Sequence, residues 1–115
     1  DIGYRDEDGR LWVLGRADDT IITGGENVHP AEVESVLRDH PDIADAAVVG
    51  LADEEWGERI GALVVAADVD IEDVEAFARE RLADYKIPRR FAVTTELPRT
   101  PSGTVDRDAV RTRLG

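Results

Sequence analysis

Three short stretches hold residue types that could do chemistry. Residues 97–107, LPRTPSGTVDR, place Arg99 and Arg107 on either side of a proline-serine-glycine turn, as an anion site would, although the bare pattern reads first as a plain surface turn. The position after the glycine, where a cation could point inward, is Thr104. Residues 15–34, GRADDTIITGGENVHPAEVE, contain Gly24-Gly25, which leaves backbone N–H groups uncovered and permits positive φ. Such a loop can cradle phosphate when it leads into a helix. Here Glu26, Glu32 and Glu34 crowd the entrance, so as a bare pattern the stretch reads as a turn. Asp18-Asp19 offers two carboxylates, but adjacent side chains point apart and make a poor magnesium chelate. Residues 85–90, YKIPRR, join a ring to cations, which suits a nucleotide: charge for phosphate, stacking for the base. The same residues also read as basic groups complementing a helix C-terminus. Trp56, in a polar loop, suits either stacking on a flat ligand or partial burial beside a sheet.

The elements that must position these residues follow from pattern. Residues 4–15 read as a hairpin turning at Asp8-Gly9. A short strand at 21–23 is broken by Gly24-Gly25, and ENVH reads as a loop into Pro30, a residue tolerated at a first helical position. Val33, Val36 and Leu37 then share a helical face, and His40-Pro41 stops the helix. Residues 43–51 and 59–67 are apolar and β-prone, as central strands are, with the polar loop ADEEWGE between them. Asp70 caps a second helix whose stripe is Val74, Phe77, Ala78 and Leu82, and which ends before Pro88. A strand at 91–95 and a terminal helix from Val105 complete the chain. The expected fold is α+β: a small central sheet with flanking helices and an N-terminal hairpin.

The whole chain has 115 residues, enough for one core, and 14 basic against 26 acidic side chains, a formal charge of −12. That field disfavours nucleic acid and anionic membrane as partners. With no cysteine there is no disulfide, thiolate metal site or cysteine nucleophile, and two histidines are too few to suggest zinc. No apolar run spans a bilayer and no signal peptide opens the chain, so a cytoplasmic location is the expectation. The absence of methionine and the start at Asp1 suggest a piece of a longer polypeptide, with a trimmed independent protein as the lesser reading. Lys86 is the single lysine; a GC-rich genome accounts for the preference for arginine.

In order along the chain, DIGYRDEDG, GRADDTIITGGENVHPAEVE, YKIPR and LPRTPSGTVDR resemble the C-terminal domain of acyl-adenylate-forming enzymes, the superfamily of acyl-CoA synthetases, peptide-synthetase adenylation domains and luciferases. The resemblance covers essentially all of residues 1–115, and the GGEN-x-HPAE-x-E form is most similar to CoA ligases of aryl, fatty and related acids. It implies an acid–thiol ligase of two steps: a carboxylate and ATP give acyl-adenylate and pyrophosphate, and CoA then displaces AMP. It implies a larger N-terminal domain as partner, holding most of the ATP, Mg2+ and acyl sites, with residues 1–18 spanning its end and the hinge. The isolated small domain is expected to be inactive. It is the part that rotates between steps.

By the same resemblance Asp1 holds the ribose hydroxyls, Arg16 assists it, and Asp18 is the hinge. Gly24, Gly25 and Glu26 form the loop that enters the active site for thioester formation. Trp56, Tyr85 and Arg89 lie against CoA. Thr104 departs from the pattern, because the family places there a lysine that reaches the acyl carboxylate and α-phosphate during adenylation. Threonine brings a hydroxyl without the charge, so adenylation is expected to be impaired. An engineered replacement, a natural loss and compensation from the larger domain are all open explanations. Two other functions stand beside the ligase: a non-catalytic CoA- or nucleotide-binding regulatory module, and an acyl-AMP ligase serving a carrier protein.

Overall fold

The computed structural model describes residues 2–5, 11–15 and 20–115. Strands β1 (Ile2–Arg5) and β2 (Leu11–Gly15) pair antiparallel, as the expected N-terminal hairpin requires. Its Asp8-Gly9 turn lies outside the described residues.

The main sheet is built on β5 (Asp45–Asp53) and β6 (Gly57–Val65), antiparallel partners along their full length. On the far side of β6 two strands share the edge. β3 (Ile21–Thr23) meets its beginning through Thr23 and Gly57, and β7 (Arg90–Thr94) runs parallel to its later half. β4 (Glu26–Val28) folds back on β3. ENV is thus a strand and not the start of a loop. Gly24 and Gly25 both take positive φ (58° and 84°), and two such residues let a two-residue turn follow the twist of the strands it joins.

Helices cover both faces of the sheet, which is why β5 and β6 read as near-continuous apolar runs. Helix α1 (Pro30–Arg38) turns Val33 and Leu37 inward, and α2 (Ile71–Arg79) turns Val74 and Ala78 inward. Both pack with Ala46, Val48, Ile60, Ala62 and Val64 on one face of the sheet. The intervening positions Ala47, Val49, Leu51 and Leu63 meet Val110 and Leu114 of α3 (Arg107–Leu114) on the other face. Pro30 occupies the first turn of α1 as expected, and Asp70 caps α2 by accepting from the Glu72 N–H. Helix α2 is shorter than its apolar stripe: Leu82 is buried from the turn that follows Arg79.

Strand β5 is the sheet's outer strand, and side chains complete its unpaired edge. The carbonyls of Ala46, Val48 and Gly50 accept from Arg38, Arg107 and Arg111 at 3.3, 2.7 and 3.1 Å. The Val48 N–H donates to the Glu34 carboxylate at 2.9 Å, and the Ala46 N–H donates to Asp45. Arg107 and Arg111 are one helical turn apart, about 6 Å along the axis. Alternate strand residues are separated by about 6.7 Å. The two spacings match closely enough for one helix face to serve successive outward carbonyls.

Candidate functional site

Two β-turns come together at one end of the sheet. The Gly24-Gly25 turn lies against the connection between β5 and β6, where the Gly24 N–H donates to the Trp56 carbonyl at 3.0 Å. The indole covers Gly24 so closely that a Cβ there would lie 2.8 Å from Trp56 Cε3, while a Cβ on Gly25 would meet nothing within 4 Å. Glycine is therefore required at 24 for contact as well as for φ, and at 25 for φ alone. Trp56 is 44% exposed, so the indole bridges the turn and solvent. The Arg89 guanidinium lies 5.5 Å from the centre of the indole, within cation–π range. Gly24, Trp56 and Arg89, far apart in sequence, form one cluster, with Gly25 and Glu26 exposed beside it.

Tyr85 lies in a single 3-10 turn (Asp84–Lys86) and is 39% exposed, with the Lys86 ammonium 5.6 Å from its ring centre. Lys86 reaches across to α1 and pairs with Glu32 at 2.9 Å. The hydrogen bond it donates to the Glu32 carboxylate holds the ammonium above the ordinary lysine value, against the opposing effect of partial burial. The lysine is thus committed to joining α1 to the turn before β7. Tyr85, Arg89 and Arg90 are the exposed members of this basic stretch, and Arg90 is engaged by the Leu114 and Phe91 carbonyls.

Residues 97–107 close into a separate small hairpin. Arg99 and Val105 form a bridge, the Gly103 N–H donates to the Thr100 carbonyl at 2.9 Å, and the Thr100 N–H donates to the Thr104 carbonyl at 2.8 Å. The hydroxyl of Thr100 lies 2.9 Å from those of both Ser102 and Thr104, so the tip is an exposed group of three hydroxyls. Arg99 and Arg107 do not come together as an anion site. Arg107 turns away to the buried Glu34 and the Val48 carbonyl, and Arg99 bonds the Gly103 carbonyl and lies 3.5 Å from Asp45. In an acidic chain, carboxylates and strand carbonyls are closer at hand than any incoming anion. Asp45 also pairs with Arg38 at 2.8 Å. Burial alone would raise the Asp45 carboxyl; hydrogen bonds from Arg38 and the Ala46 N–H, with the nearby Arg38 and Arg99 charges, hold it below the ordinary aspartate value.

Asp1, Arg16 and Asp18 lie outside the described residues. Among the described residues no group of three or more His, Asp or Glu side chains converges to hold a metal ion, and no helix is long and apolar enough to cross a membrane. The sequence analysis did not single out Asp53, Glu58 or Arg111, and it read Glu34 only as an acid crowding the loop entrance and not as a partner of Arg107 and the β5 edge. Glu34 follows Val33 and lies three before Leu37, so its place on the inward face of α1 was open to periodicity. Asp53, two and three residues before the N–H groups it binds, fits the pattern by which aspartate organises a turn.

The family model described as AMP-binding enzyme C-terminal domain matches residues 32–104. A 2-succinylbenzoate–CoA ligase of Bacillus licheniformis is 50% identical over 108 residues, which cover 93% of this chain and 23% of that protein. A protein of the same name from Geobacillus kaustophilus is 54% identical over 102 residues, 86% of this chain and 21% of its own length. Among solved structures, the amide bond synthetase of Marinactinospora thermotolerans superposes with a TM-score of 0.90 at 42% identity, covering 98% of this chain and 24% of that one. The o-succinylbenzoate CoA synthetase of Bacillus subtilis, solved with its acyl-adenylate intermediate, gives 0.84 at 45% identity over 95% of this chain and 23% of its own. The chain therefore spans under a quarter of the length of these relatives. With a two-faced small sheet, the paired glycine turn and the sequence match in agreement, it belongs to the AMP-binding enzyme C-terminal domain family.

Proposed function

We propose that the chain is the mobile C-terminal domain of an ATP-dependent acyl-CoA synthetase. Residues 1–18 would then span the end of a larger N-terminal domain and the hinge at Asp18, with Asp1 and Arg16 on the nucleotide. The observation that carries this reading is the cluster of Gly24, Trp56 and Arg89. An exposed glycine turn, a partly exposed indole and a guanidinium suit a ligand with a slender neutral arm, a flat base and phosphates. CoA has all three parts. In this reading Gly24, Gly25 and Glu26 border the pantetheine arm, and Trp56, Tyr85 and Arg89 take the nucleotide end. The relatives' names, 2-succinylbenzoate–CoA ligase among them, support an acid–thiol ligase. ATP and Mg2+ belong with the larger domain, and nothing in the described residues offers a metal cluster.

Thr104 stands at the tip of the second hairpin, its carbonyl and hydroxyl both engaged by Thr100. With no charge at that position and both neighbouring arginines directed elsewhere, the adenylation step loses its cation. In the full-length parent, supplied acyl-adenylate should form thioester far faster than acid plus ATP. Thr104→Lys should raise adenylation about a hundredfold and leave thioester formation nearly unchanged. Equal efficiency in both half-reactions of the parent would remove the role given to position 104.

Thr104 also favours a second reading, a CoA-binding module that keeps the fold without the chemistry. Calorimetric titration of the full-length parent with CoA, with and without acyl-adenylate, separates the two: binding without turnover supports the module. An acyl-AMP ligase serving a carrier protein would instead transfer to carrier and ignore free CoA.

A further inference from the structure

The contact between Gly24 and Trp56 is itself held by a carboxylate outside the residues assigned above. Asp53, the last residue of β5, accepts at Oδ1 from the N–H groups of Glu55 and Trp56, each at 2.9 Å. These two bonds set the backbone of the connection to β6, whose Gly57 takes a φ of 83°. A second carboxylate steadies the neighbouring strand: Glu58 Oε1 accepts from the Ile22 N–H at 3.0 Å, beside the single Thr23–Gly57 pairing of β3 with β6. The β3–β4 turn therefore depends for its place on side-chain acceptors and on Trp56, more than on a strand ladder.

We propose that Asp53 is a positioning residue for the acceptor-binding face. Its carboxylate fixes the Trp56 backbone. Trp56 then fixes the Gly24-Gly25 turn twice, through its carbonyl at 3.0 Å and through an indole seated directly on Gly24. The turn edge is thereby held at one height for the thiol-bearing arm to pass. This role rests on the reading of that face as the CoA site. The function asked of Asp53 is two-fold acceptance by one oxygen, which the side-chain oxygen of asparagine also supplies and alanine does not. A purely electrostatic role would separate aspartate from asparagine; a positioning role separates both from alanine.

In the full-length parent, Asp53→Ala should raise KM for CoA about tenfold in the thioester half-reaction run from supplied acyl-adenylate. Adenylation should stay within about twofold of the parent. Hydrogen exchange of the peptide containing Gly24 should speed up, since its N–H loses a fixed partner. Asp53→Asn should restore all three, which also shows that the alanine variant's defect is not general misfolding. Unchanged Gly24 exchange in Asp53→Ala overturns the mechanical link, and faster exchange with an unmoved CoA KM overturns the role at the acceptor face. Parallel loss of both half-reactions, or a failed asparagine rescue, overturns it as well. A parent that makes no CoA thioester at all overturns the CoA reading itself, whatever the exchange at Gly24 shows.

Discussion

At the scale of single residues, charged groups that look like ligand-binding candidates turn out to be divided between structure and surface. Glu34 is 5% exposed and accepts from both Arg107 and the Val48 N–H, so its charge is neutralised within the fold. Removing Glu34 takes the acceptor from the buried Val48 N–H, at a cost of about 1–3 kcal/mol. Urea unfolding of Glu34→Ala should show that loss. Glu34→Met combined with Arg107→Leu should be less damaging than the two single changes summed, and strict additivity would mean the pair is not coupled. Gly24, Trp56 and Arg89 were legible in the sequence as separate motifs, and their convergence needed the pairing of β3 with β6 to become visible. Arg99 and Arg107 were legible only as charge. Their direction depended on Asp45 and Glu34, which lie on other elements and carry no local sequence signal toward them.

At the scale of elements, the pattern located the three α-helices and all but one strand of the main sheet, because the longer elements each have an apolar stripe facing one of two cores. What it missed was ENV as a strand. Three residues between Gly25 and His29 are too few for alternation to register, and the strand exists because β3 beside it offers a ladder. The hairpin carrying Thr104 is docked differently, through Arg99 on Asp45, which also receives Arg38 from α1. Since folding lowers the Asp45 value from 3.8, its contribution is complete above that pH and fades as acid protonates the folded carboxylate. These pairs are partly solvent-exposed, so the contribution is below about 1 kcal/mol. Urea midpoints of the parent and Asp45→Asn should differ at pH 7 and converge below pH 3.8; a gap that persists in acid would assign the effect to packing.

At the scale of the whole molecule, a charge of −12 is carried by a chain that pairs many of its basic groups internally. The surplus acid repels itself, so added salt should stabilise the fold by screening. Melting temperature should rise between about 20 mM and 0.5 M sodium chloride; a fall would show that the internal ion pairs outweigh the repulsion. The preference for arginine over lysine, read from composition as a trait of the genome, also has work in the fold. Arg38, Arg90, Arg107 and Arg111 each reach a backbone carbonyl, and Arg38, Arg107 and Arg111 bond a carboxylate as well. A planar fork with several donors can do both at once, whereas an ammonium is a single charged point.

The guanidinium groups along β5 have a consequence for the company this domain can keep. An outer strand normally offers any passing chain a template for intermolecular sheet growth, and a sheet exposed in that way is an aggregation hazard. Along Ala46 and Val48 both the donors and the acceptors are already taken, and the Gly50 acceptor with them. An incoming strand would have to displace three arginines and two carboxylates to pair along Ala46, Val48 and Gly50. The protein has in effect finished its own sheet with side chains, so crowding it with copies of itself leaves that flank inert.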